Sequence, residues 1–109
     1  MSTPYQRGAA FELRVKAELE DRGWLVTRSP GSRSPFDLMA VPPVAYRLDN
    51  VALVQCKLRG VISRADAAAL GRVAETFGCE PVLAYTMQAR GAVHYKYLTN
   101  ALAWVSWAP

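Results

Sequence analysis

Two short apolar runs constrain this chain more than any other feature: Phe36-Asp37-Leu38-Met39-Ala40-Val41 and Val51-Ala52-Leu53-Val54-Gln55-Cys56-Lys57. Both have the length and composition of a strand, and Pro42-Pro43 ends the first. Leu48-Asp49-Asn50 supplies turn material before the second, so the pair reads as a hairpin with a longish connection. An antiparallel partner places its finish beside the other's start. Asp37, Gln55 and Lys57 are therefore expected at one end of a sheet. Side chains two apart on a strand share a face, which points Gln55 and Lys57 the same way.

The flanking sequence fits an α/β fold, a central mixed β-sheet flanked by helices. Residues from Gln6 to Arg22 read as a helix, with Phe11, Val15 and Leu19 recurring at fours and Gly23 as the stop. Glu12, Val15 and Leu19 fall along one stripe, which puts the Glu12 carboxylate at the edge of the core-facing side. Arg14, Lys16, Glu18 and Asp21 project outward. Trp24 to Arg28 alternates as a short strand with Trp24, Val26 and Arg28 on one side, and Ser29-Pro30-Gly31-Ser32 is a turn by composition. Ser63 is the N-cap of a second helix, with Asp66 in the capping-box position and Gly78 at the end. Pro81 to Met87 and Val93 to Leu98 are two further strands, joined by a polar turn from Gln88 to Gly91. The apolar tail from Ala101 to Trp107 either packs back on its own sheet or is buried against another subunit.

Length and composition fit one domain over residues 1–109: 51% hydrophobic and 20% charged residues exclude a disordered chain. No apolar run reaches the roughly 18 residues of a membrane span, and Met1 to Arg7 lacks the apolar core of a signal peptide, so cytoplasmic residence is expected. In that setting Cys56 and Cys79 read as small buried apolar groups, with Cys56 on the face opposite Gln55 and Lys57. His94 has no second histidine for a metal site. The net charge of +4 and a pI of about 9.4 favour a polyanionic partner. Arg28 and Arg33 bracket the Ser-Pro-Gly-Ser loop before Asp37, and Arg59 and Arg64 follow Lys57. Arg72 and Arg90 read as solvated charges; Phe77, Tyr85, Tyr95 and Tyr97 read as core or rim aromatics.

A carboxylate, an amide oxygen and an ammonium beside a basic loop describe a site for cutting phosphodiesters. Hard Mg²⁺ takes oxygen ligands and keeps several waters, so one or two carboxylates plus phosphate oxygens suffice. Asp37 is the first candidate ligand, with Glu12 and the Gln55 oxygen completing the protein share. Lys57 would orient water or stabilise the charged transition state.

The order Arg7-Gly8-Ala9-Ala10-Phe11-Glu12, Arg28-Ser29-Pro30-Gly31-Ser32, Pro35-Phe36-Asp37-Leu38 and Gln55-Cys56-Lys57 resembles the archaeal-type Holliday junction resolvases of the PD-(D/E)XK nuclease superfamily. The likeness continues through Phe77-Gly78-Cys79-Glu80-Pro81-Val82-Leu83-Ala84 and covers roughly residues 5 to 98. It implies a restriction-endonuclease-like core and symmetric nicking of four-way DNA by a homodimer that depends on Mg²⁺, with Mn²⁺ able to substitute. A two-fold dimer matches a two-fold substrate. By the resemblance, Glu12, Asp37 and Gln55 are the metal set and Lys57 the catalytic lysine. The resemblance also implies that Arg28 and Ser32 contact DNA near the scissile phosphate; Arg7, Arg33 and Arg59 are expected to extend the DNA-binding set.

Two positions depart from the family pattern: Gln55 stands where Glu is usual, and Phe36 is inserted between the proline and Asp37. An amide oxygen ligates a hard cation without bringing charge, so metal affinity should be lower. Two alternatives stay open: a catalytically silent branched-DNA-binding module, and a related nuclease acting on flaps or duplex ends.

Overall fold

The computed structural model describes residues 3–29, 34–43, 51–88 and 90–109. Among them are helices α1 (Pro4–Asp21) and α2 (Arg64–Phe77) and strands β1 (Leu25–Arg28), β2 (Leu38–Val41), β3 (Ala52–Leu58), β4 (Glu80–Thr86), β5 (His94–Leu98) and β6 (Trp104–Ser106). The described strands form one sheet in chain order, β1-β2-β3-β4-β5-β6. Every neighbouring pair is antiparallel except β3 with β4, which run parallel because α2 carries the chain back across the sheet. This is the expected mixed sheet flanked by helices.

Each helix starts where its side chains can satisfy orphan amides. Thr3 accepts from the Gln6 amide while the Gln6 side chain accepts from the Thr3 amide, a reciprocal cap that begins α1 two residues before the expected start. Ser63 caps α2 by accepting from the Asp66 amide. Gly78 ends it in the left-handed region at φ 68°, where a side chain would be strained.

The two faces of the sheet carry separate cores. Phe11, Val15 and Leu19 of α1 pack with Val26, Leu38, Ala40, Val54, Val82 and Ala84 on one side. On the other, α2 sets Leu70 and Ala74 against Leu53. Burying each of the larger aliphatics contributes about 1.5–3 kcal/mol.

The tail packs back on its own sheet. β6 pairs with β5 through Lys96↔Ser106 to Leu98↔Trp104, and Trp107 meets Trp24 and Tyr95 edge-on at 5.6 and 5.7 Å. The Trp107 indole donates to Glu80 at 3.0 Å. Composition identified the tail as apolar but not as a strand, because this edge pairing is fixed by β5 alone.

Candidate active site

Asp37 sits immediately before β2, where three hydrogen bonds hold it. Its amide donates to the Val54 carbonyl at 2.8 Å and its carbonyl accepts from Ser29 at 2.8 Å. Its carboxylate oxygen Oδ2 accepts from the Cys56 amide, also at 2.8 Å. The last contact ties the acid to the middle of the Gln55-Cys56-Lys57 segment. Leu38 pairs with Val54, so one residue further out Asp37 adjoins Gln55. The expected convergence of β2's start with β3's close is therefore present.

Glu12 arrives from α1, one residue after the buried Phe11. Arg28, at the end of β1, reaches it with Nη2 3.7 Å from Glu12 Oε1. That ion pair is part-exposed and adds little stability; its effect is to hold a guanidinium beside the acids.

The electrostatics show two carboxylates crowded into one place. Burial raises the Asp37 carboxyl above its ordinary range, against the Cys56 amide and the positive charges of Lys57 and Arg28. Burial, then the negative charge of Asp37, raises Glu12, with Arg28 opposing. Each acid is harder to ionise than in water until a positive charge joins it.

Gln55 supplies an independent mark. Its Oε1 is buried and has no hydrogen-bond partner among the described residues. A buried amide oxygen without a partner costs about 1–3 kcal/mol, and a cation is one way to satisfy it. Two carboxylates and one amide oxygen form a hard donor set suited to a divalent ion that keeps waters. Among the described residues no group of three or more His, Cys, Asp or Glu side chains is gathered for a metal; Gln55 is of none of these types.

Cys56 packs against the α1-side core as expected. Burial, then the charges of Asp37 and Glu12, drives its thiol well above the ordinary range, so it stays protonated. Cys79 is less enclosed than the sequence suggested: it is half-buried, with Sγ 3.6 Å from the Phe77 carbonyl at the α2 end.

The structure thus brings together Glu12, Arg28, Asp37, Gln55 and Lys57. Arg7 and Arg59 stand apart at the same end of the sheet, lining a cleft of about 480 Å³ with Pro4, Leu58, Thr86 and Met87. Ser32 and Arg33 lie outside the described residues. The sequence did not reveal the Cys56 amide as the holder of Asp37, since that contact depends on the hairpin's register. Nor did it mark Tyr85, His94 and Lys96 as neighbours of the site; only the β3–β4–β5 register aligns Tyr85 and His94 with Lys57, and Lys96 with Gln55.

Comparison with known proteins places the chain in a family. Residues 3–101 match the family model described as archaeal Holliday junction resolvase (Hjc). The chain belongs to that family. It is 33% identical over 88 residues to the crossover junction endodeoxyribonuclease Hjc of Methanocaldococcus jannaschii, an alignment covering 77% of this chain and 62% of that protein. The fold resembles that of Archaeoglobus fulgidus Hjc, a Holliday junction resolvase solved at 1.6 Å, with a TM-score of 0.66 and 23% identity over 82% of this chain and 70% of that one.

Proposed function

We propose that this protein is a divalent-metal-dependent endonuclease that resolves Holliday junctions by nicking phosphodiester bonds in four-way DNA as a homodimer. The observation carrying the reading is the buried Gln55 oxygen, without a hydrogen-bond partner among the described residues, beside two carboxylates whose ionisation is held back. Family membership supports the choice of substrate. The expected setting is the cytoplasm, on DNA; among the described residues no helix is long and apolar enough to cross a membrane.

Glu12, Asp37 and Gln55 would hold the ion, Mg²⁺ in the first instance with Mn²⁺ as a substitute. When bound, it would supply charge neutralisation at the scissile phosphate and a lowered pKa for attacking water. The chain's own residues do the rest. The Cys56 amide fixes one Asp37 oxygen, so the carboxylate is preorganised rather than swinging. Lys57, whose charge Asp37 feels, would stabilise negative charge developing on the phosphate. Arg28 offers a guanidinium suited to phosphate oxygens. Recognition would rest on phosphates and junction shape rather than base edges.

The test uses a synthetic four-way junction with Mg²⁺ or Mn²⁺, beside a flap and a linear duplex. Paired symmetric nicks on the junction, absent in chelator, are expected. Equal cutting of all three DNAs would assign a general nuclease, and binding without nicks in metal would assign a silent module.

A further inference from the structure

Outside the cluster just described, one row of side chains continues from it across the sheet. Lys57 on β3 is in register with Tyr85 on β4, and Tyr85 with His94 on β5. Residues in register share a face, so the three lie side by side on the face that carries Gln55. The Tyr85 and His94 rings are 5.4 Å apart and tilted by 34°. From the next position on β5, Lys96 places Nζ 5.1 Å from the centre of the Tyr85 ring.

Two features show that the row is built and open. Tyr85 is clamped: Gly60 lies so close that a Cβ there would come within 2.9 Å of the Tyr85 ring, and Gly60 keeps a φ of +69°. The ring is thus a fixed platform carrying an ammonium and an imidazole. Helix α2 covers this face only further along, over Leu53 and, at Gly71, over Leu98. Tyr85 is consequently only half-buried and His94 is exposed, although most of β4 is buried.

We propose that His94 and Lys96, seated on Tyr85, form a second phosphate-binding track that holds the DNA strand leading away from the bond to be cut. This rests on the junction-nuclease reading and names where its substrate runs. The argument is continuity and charge: the row begins at Lys57, holds two ammonium groups and an exposed imidazole, and contains no carboxylate. From Lys57 to His94 is two strand spacings, roughly 10 Å at about 4.8 Å each. At about 3.4 Å of rise per nucleotide this reaches about three nucleotides from the scissile phosphate.

The experiment measures four-way junction binding in chelator over a range of salt for wild type, Lys96→Gln, His94→Gln, Lys96→Arg and, as a control for loss of one positive charge at an exposed position on α2, Arg72→Gln. Variants are compared once their melting temperatures show them folded. Lys96→Gln and His94→Gln should each weaken binding about three- to tenfold. Lys96→Gln should also flatten the salt slope by about 0.9, Lys96→Arg should restore it, and Arg72→Gln should change neither. A neutral methylphosphonate about three nucleotides from the cut should weaken wild type but not His94→Gln. Wild-type-like binding by both track variants, or an equal loss with Arg72→Gln, overturns the track while leaving the nuclease reading intact. Failure of wild type itself to bind the junction overturns that reading, and the track with it.

Discussion

The two halves of β3 are built for opposite ends. Ala52, Leu53 and Val54 are 0–2% exposed and aliphatic, sealed between the two helices. Gln55, Cys56 and Lys57, the next three residues, are part-exposed and carry an orphan oxygen, a committed amide and an ammonium. The first half stabilises the fold and the second is destabilised by its polar groups. Their adjacency on one strand teaches how the cost is tolerated: the polar groups inherit their positions from a backbone that the aliphatic half anchors.

Substitutions should separate the halves, beginning with the largest effect. Asp37→Asn should abolish junction cleavage while leaving binding in chelator, read by gel assays of nicking and of mobility shift; loss of both would mean that Asp37 serves the fold. Lys57→Ala should slow cleavage at saturating DNA about 10²- to 10³-fold, the usual range for removing a group that stabilises transition-state charge. Its melting temperature should stay close to that of wild type. Leu53→Ala is the mirror case: it should cost about 2–5 kcal/mol in denaturant unfolding, with nicking kept where the protein remains folded.

A smaller effect sharpens the same contrast. Asp37 and Glu12 have carboxyl pKa values raised in the folded chain by burial. Folding therefore favours their protonated forms, so the stability associated with them is present below the ordinary carboxylate range and is lost as pH rises through the folded values. Metal-free protein should melt lower at pH 7 than at mildly acidic pH on this account. Asp37→Asn should raise the metal-free melting temperature at pH 7, by on the order of 2 °C; a fall would show that its attraction to Lys57 outweighs desolvation. The smallest expected change concerns the turn after β3. Arg59 has φ 67° there, and the Gly60 amide donates to the Lys57 carbonyl at 3.2 Å. Arg59→Gly removes a left-handed strain of about 1–2 kcal/mol, partly offset by glycine's greater freedom when unfolded. Chemical denaturation should therefore show a gain below about 1 kcal/mol, accompanied by weaker DNA binding.

Much of this is legible in the amino-acid sequence. The fourfold spacing of Phe11, Val15 and Leu19 gave α1 its buried stripe and put Glu12 at its edge. The hairpin argument brought Asp37 to the Gln55–Lys57 end because antiparallel pairing leaves no other arrangement. What stayed hidden depends on register and long-range contact. The Cys56 amide bond to Asp37 requires knowing which residue of β3 faces β2's start. The pairing of β6 depends on the register of β5, and the edge-on contact of Trp107 with Trp24 joins residues near opposite ends of the chain; local composition carries no trace of either. Tyr85 looked like a rim aromatic because only the alignment of three strands shows that it lies between Lys57 and His94.

The sharing of one cation by Glu12, Asp37 and Gln55 is most directly tested by anomalous diffraction from crystals grown with Mn²⁺. A single strong peak within about 2.3 Å of oxygens from Asp37 and Gln55, with Glu12 bound directly or through water, is the predicted result. A peak lying elsewhere, with the Gln55 oxygen satisfied by a protein donor, would contradict it.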